Sequence, residues 1–169
     1  MDRFALTNDL LTGVHDIDEQ HRQLFQLANQ LIDANSSPSD RIKFIRAMAF
    51  LGGYIDYHFA AEELTMQDTR FPSYEEHRTF HESFREQLGD IAEEARTTGS
   101  SDLPTRRITA LLTDWLITHI RIMDRAFAEY LVSQSRGEPI HLPGQERLVQ
   151  AGLVPADYAL PAPSETREE

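Results

Sequence analysis

Four stretches of the chain carry apolar residues at helical spacing, and short segments rich in Pro, Gly, Ser and Thr separate them. Four amphipathic helices joined by short loops must bury their apolar faces on one another. The expected fold is therefore all-α, an antiparallel up-down-up-down four-helix bundle. The first helix reads from Asp18, whose carboxylate suits an N-cap, through Leu24, Phe25, Leu27, Ala28, Leu31 and Ile32 to the break at Asn35-Ser36-Ser37-Pro38. The second runs from Ser39 or Asp40 to Gln67, with Gly52-Gly53 as a weak point, and ends before Thr69-Arg70-Phe71-Pro72. Ser73 and Glu76 form a capping box for the third, which reaches Arg96 and the loop Thr97-Thr98-Gly99-Ser100. Pro104 opens the fourth, which continues to Ser133.

The first 17 residues lack a helical period and are expected to pack across one end as an extended arm. After Arg136 the composition shifts to Gly, Pro and charge, with a helical turn or two at Gln145 to Ala151 and a disordered ending from Pro161 to Glu169. Residues 1–135 are thus read as the bundle and 136–169 as an irregular C-terminal tail. At 169 residues with 40% apolar content, the chain suits one domain with one core.

Cysteine is absent, which removes disulfides, thiolate metal sites, iron–sulfur clusters and thiol catalysis. A formal charge of −12 argues against a nucleic-acid partner, since phosphate backbones are met by clustered Lys and Arg. No apolar run is long enough to span a membrane and no leader is read, so a cytoplasmic protein without membrane attachment is expected.

Any bound metal must then rely on imidazole and carboxylate. His58 and Glu62 stand four apart on the second helix and His77 and His81 four apart on the third, so each pair projects from one helix face about 6 Å apart. His21 near the start of the first helix, and His119 and Asp124 in the second half of the fourth, fall at the same depth of an alternating bundle. Five imidazoles and two carboxylates exceed what one tetrahedral zinc can use and suit two iron ions, with the carboxylates able to bridge. With six ligands on each iron and one shared oxygen, protein donors fill all but one place. That open place would take a small molecule. His119 and Asp124, five apart, should diverge by about 140° on an ideal helix, so a local π-type widening is expected between them.

The segments GVHDIDEQHRQLF (Gly13 to Phe25), YHFAAEE (Tyr57 to Glu63), HRTFH (His77 to His81) and DWLITHIRIMD (Asp114 to Asp124) resemble the four motifs of the hemerythrin family. The likeness covers roughly residues 1 to 135, and no ligand of the family pattern is missing. It implies that His77, His81 and His119 hold one iron and His21 and His58 the other, with Glu62, Asp124 and an oxo or hydroxo group bridging them. The vacancy falls on the iron with two histidines. It also implies reversible binding of dioxygen beside an apolar wall of Leu24, Phe59, Trp115, Leu116 and Ile120, which would exclude water and slow oxidation.

Dioxygen carriage, storage or delivery is the first reading, since no additional acid or base flanks the vacancy in these segments. A dioxygen or redox sensor acting on a protein partner, or on a second copy, through the tail is an alternative. So is a di-iron oxidoreductase acting on peroxide or nitric oxide. His15 and His141 match no ligand position and are read as structural or surface groups.

Overall fold

The computed structural model describes residues 4–34, 41–98 and 102–157. Among these, the chain is helical with no strand. Helices α1 (His15–Asp33), α2 (Arg41–Thr69) and α3 (Tyr74–Thr97) are followed by a continuous helical run, α4. Within α4, Asp102–Ala110, Ile117–His119 and Arg125–Gln134 are α-helical, while Leu111–Leu116 and Ile120–Asp124 form wider π turns. A short α5 (Gln145–Gln150) comes last. Contacts of α1 with α2, α2 with α3 and α3 with α4 give the expected antiparallel order.

Helices α1 and α3 each bury one stripe, whereas α2 is buried on every side from Tyr57 to Glu62. In α1 the stripe is Ile17, Leu24, Phe25, Ala28 and Leu31, and in α3 it is His77, His81, Phe84, Leu88 and Ile91. Spacings of three and four keep those side chains on the face turned to the neighbouring helices. The core they form is continuous from Leu10 to Val154. Gly52-Gly53 does not interrupt α2. At the end of α2 the Tyr130 hydroxyl donates to the Thr69 carbonyl at 2.6 Å, joining the last turn of α2 to that of α4.

Several helix boundaries differ from the sequence expectation for identifiable reasons. α1 begins at His15, so Asp18 is not its N-cap. Its carboxylate reaches back instead, accepting the Thr12 N–H (2.7 Å), the Thr12 hydroxyl (2.8 Å) and the Gly13 N–H (3.1 Å). Gly13, at φ +86°, makes the turn that this requires. The capping box at Ser73 does not form: its backbone is not extended and its side chain makes no cap bond, because the Phe71–Tyr74 turn occupies that position. α4 starts at Asp102, leaving Pro104 within the first turn, where a missing N–H still costs nothing.

The N-terminal arm does not cross the bundle end. It runs along the α1–α4 seam, with Phe4 stacked on Phe25 and bracketed by Asn29, while Arg121 pairs with Asp9 and Arg125 donates to the Asp9 and Leu11 carbonyls. A 3-10 turn at Asn8–Leu10 sits within it. The expected break at Asn35 to Pro38, the start of the second helix at Ser39 or Asp40, Gly99-Ser100 and the ending Pro161 to Glu169 lie outside the described residues. Beyond α4, Arg136 (φ 50°) and Gly137 (φ 85°) turn the chain back, and Leu142, Leu148 and Val154 are buried against the bundle. Among the described residues no helix is long and apolar enough to cross a membrane.

Candidate metal centre

All seven side chains singled out by spacing meet inside the bundle, and every helix of the four contributes. His21 comes from α1, His58 and Glu62 from α2, His77 and His81 from α3, and His119 and Asp124 from α4. Six of the seven have no exposed surface and His119 has 2%. Their donor atoms form two overlapping groups, one of Glu62, His77, His81, His119 and Asp124 and one of His21, His58, Glu62 and Asp124, each within 4.8 Å.

The two carboxylates belong to both groups because each divides its oxygens between them. Asp124 Oδ1 lies 3.1 Å from His77 Nε2 and 2.9 Å from His119 Nε2, while its Oδ2 lies 3.0 Å from His21 Nε2. Glu62 Oε2 is 3.6 Å from His77 Nε2 and 3.4 Å from His81 Nε2, while its Oε1 faces His58 Nε2 at 3.9 Å. On the three-imidazole side, His77 Nε2 and His81 Nε2 each stand 3.1 Å from His119 Nε2.

Such an arrangement is costly unless cations fill it. Both oxygens of Glu62 and Asp124 and the Nε2 atoms of His21 and His58 are buried without a hydrogen-bond partner. Each such orphan forfeits about 1–3 kcal/mol. Nitrogen lone pairs and carboxylate oxygens converging on common points are the donor set of a metal site built from imidazole and carboxylate, so these residues fit bound cations.

Local helix geometry explains the convergence. The i, i+4 pairs in α2 and α3 need nothing beyond regular helix. In α4 the Arg125 N–H donates to the Ile120 carbonyl five residues back, the widened turn that the 119–124 spacing requires. A second widened turn, at Leu111–Leu116, has no counterpart in any spacing read from the sequence.

Two outer contacts were missed by sequence reading. The His58 Nδ1–H donates to Gln20 Oε1 and the His81 Nδ1–H to Glu63 Oε1, both at 2.8 Å. Arg85 in turn donates to Glu63 at 3.1 Å. These acceptors fix the tautomer, leaving Nε2 of each ring with a lone pair turned inward. In the metal-free protein, burial pushes the His58 imidazolium down to about 4. Burial also disfavours charge on His77, but the Asp124 and Glu62 carboxylates facing its ring prevail and raise it to about 9. Burial opposes ionisation of Glu62 and Asp124, yet the surrounding imidazoles hold both carboxyls below their ordinary range.

Of the expected apolar wall, Leu24, Phe59, Leu116 and Ile120 are buried and Trp115 is partly buried. Phe59 stacks on His81 with centroids 3.7 Å apart, and Trp115 stacks on His119 at 4.5 Å. Both stacks therefore flank the three-imidazole side. Phe59 also meets His58 in a tilted contact, centroids 5.7 Å apart. His15 and His141 are exposed and stand outside both groups.

A four-helix bundle whose every helix sends imidazole or carboxylate into one sealed cluster defines a helical cation-binding protein. The chain belongs to the hemerythrin family: the family model "Hemerythrin HHE cation binding domain" matches residues 12–131. It is 30% identical over 122 residues to the bacteriohemerythrin of Stenotrophomonas maltophilia, covering 72% of this chain and 77% of that one. The bacteriohemerythrin of Methylococcus capsulatus is 25% identical over 120 residues (71% and 89%). A hemerythrin-like protein of Naegleria gruberi is 26% identical over 125 residues (73% and 90%). No solved structure matches the chain significantly.

Proposed function

We propose that the chain binds dioxygen reversibly, as a carrier, store or delivery protein, at two non-haem irons linked by an oxo or hydroxo group. His77, His81 and His119 would hold one iron and His21 and His58 the other, with Glu62 and Asp124 each offering an oxygen to both sides. The observation that carries this reading is the division of the carboxylate oxygens, Oδ1 and Oε2 toward three imidazoles and Oδ2 and Oε1 toward two. With the carboxylates shared, the two-imidazole half offers one protein donor fewer than the three-imidazole half, and a small ligand such as dioxygen would be accommodated there.

Bound ferrous iron supplies the electrons that dioxygen accepts. The protein's part is to orient Nε2 of each ring, hold Glu62 and Asp124 ionised between the halves, and keep water out with Leu24, Phe59, Trp115, Leu116 and Ile120. Apart from the seven inward groups, the polar partner of His58 is the Gln20 amide, which neither takes nor gives a proton near neutral pH. That favours a carrier over an oxidoreductase acting on peroxide or nitric oxide.

Anaerobic reconstitution with ferrous iron, followed by air and then deoxygenation, tests the reading. The absorption spectrum should appear and disappear reversibly, and His58→Ala or Glu62→Ala should abolish it. Rapid conversion to the ferric form with sustained turnover would favour the oxidoreductase, and an intact spectrum in either variant would place the site elsewhere.

A further inference from the structure

The inward-facing groups are sealed in the bundle, so a metal ion that reaches them must pass its wall. At one point the wall is thin. A surface pocket of about 240 Å³ has Asp16, Glu19, Gln20, Tyr57 and Leu142 among its lining. Gln20 belongs to both compartments. It lines the pocket, is 8% exposed, and its Oε1 accepts the His58 Nδ1–H at 2.8 Å. Behind it, His58 Nε2 and Glu62 Oε1 are buried without hydrogen-bond partners.

Leu142 enters this pocket from the segment after α4, beyond the residues that the family match covers. That segment is strapped down at several points. The Leu142 N–H donates to Asp16 Oδ2 at 3.0 Å, and His141 Nδ1 stands 3.4 Å from the same oxygen. Arg147 pairs with Asp68 at the end of α2, and Leu148 and Val154 are buried.

We propose that this pocket is the entry site through which a divalent cation reaches His58, and that the strap controls entry with Leu142 as its cover. The inference rests on the di-metal reading above. Carboxylate, amide and phenol oxygens line the way, the hard donors that replace the water of a divalent cation step by step. Dioxygen would need none of them. The Asp16 oxygen that would meet an arriving cation is the one that holds the strap, so strap and cation compete for it. Rotation of the Gln20 amide then releases His58.

A gate changes rates in both directions and leaves the equilibrium alone, whereas loss of a structural contact speeds release only. Ferrous uptake by the metal-free full-length protein, and extraction from the loaded protein by a chelator, should both accelerate about tenfold in Leu142→Ala, with affinity unchanged. Leu31→Ala, a core truncation that lines no part of the pocket, serves as the stability control and should leave uptake unchanged. Asp16→Asn keeps an oxygen for the Leu142 N–H but loses the charge, and should slow uptake about threefold, an effect that salt removes. This second variant carries the test should Leu142→Ala not fold. Uptake rates unaffected by either substitution, or release alone accelerated, would overturn the gate while leaving the di-metal reading intact. A wild-type chain that takes up no metal would overturn both.

Discussion

Which imidazole nitrogen turns inward decides whether five histidines make a metal site or a cluster of buried bases. For His58 and His81 the answer comes from Gln20 and Glu63, each 2.8 Å from Nδ1. Removing such an outer partner weakens metal binding by about 10–100-fold, so Glu63→Ala should do so in a chelator competition, and unchanged affinity would contradict the role. The seven inward groups were legible because spacings of four, and the alternation of helix direction, are properties of sequence. Gln20 and Glu63 were not, since the partners stand 38 and 18 residues apart and no local period links them. The metal-free site also carries a pH signature. His77, raised to about 9, stabilises the metal-free fold fully below its ordinary 6.5, and this contribution is lost as pH rises through 9. His58, depressed to about 4, acts oppositely: its unfolded imidazole takes a proton first, so stability falls as pH drops from 6.5 toward 4. Thermal melts of the metal-free protein should decline on both sides of pH 6.5. Metal loading should abolish the alkaline decline, since a coordinated His77 has no proton to lose. Identical alkaline profiles with and without metal would refute the assignment.

At the scale of helices, apolar periodicity located all four long elements, but their first turns were decided by tertiary contacts. Asp18 and Ser73 have the chemistry of caps. Asp18 is drawn to the Thr12–Gly13 backbone, and Ser73 is held in a turn that denies it an extended conformation. The five-residue interval from His119 to Asp124 made one widened turn legible, because two buried groups on one site impose it. Nothing comparable marks Leu111–Leu116. The end of α2 carries a different strain. Arg70 sits at φ 56°, where a side chain costs about 1–2 kcal/mol, and the Phe71 N–H closes the helix by donating to the Met66 carbonyl at 2.8 Å. Arg70→Gly should therefore stabilise the protein by roughly 1 kcal/mol in denaturant unfolding. A loss of stability would mean that the Arg70 side chain contributes more than its backbone costs.

Across the whole molecule, the bundle and its metal-bearing end are covered by segments that sequence reading left irregular. Leu142, Leu148 and Val154 are apolar positions six residues apart, too sparse to make a continuous helix stripe or strand alternation, and so gave no sign that all three would be buried. The docked strap contributes to stability as a core element does: Leu148→Ala should cost about 2–5 kcal/mol, and a change below 0.5 kcal/mol would show that the strap is not held in solution. Metal that binds the folded chain alone must raise its melting temperature. Crystals of the iron-loaded protein, measured for anomalous scattering at the iron edge, should show two peaks between Glu62 and Asp124, one beside His77, His81 and His119 and the other beside His21 and His58. A single peak, or iron bound outside this cluster, would contradict the account.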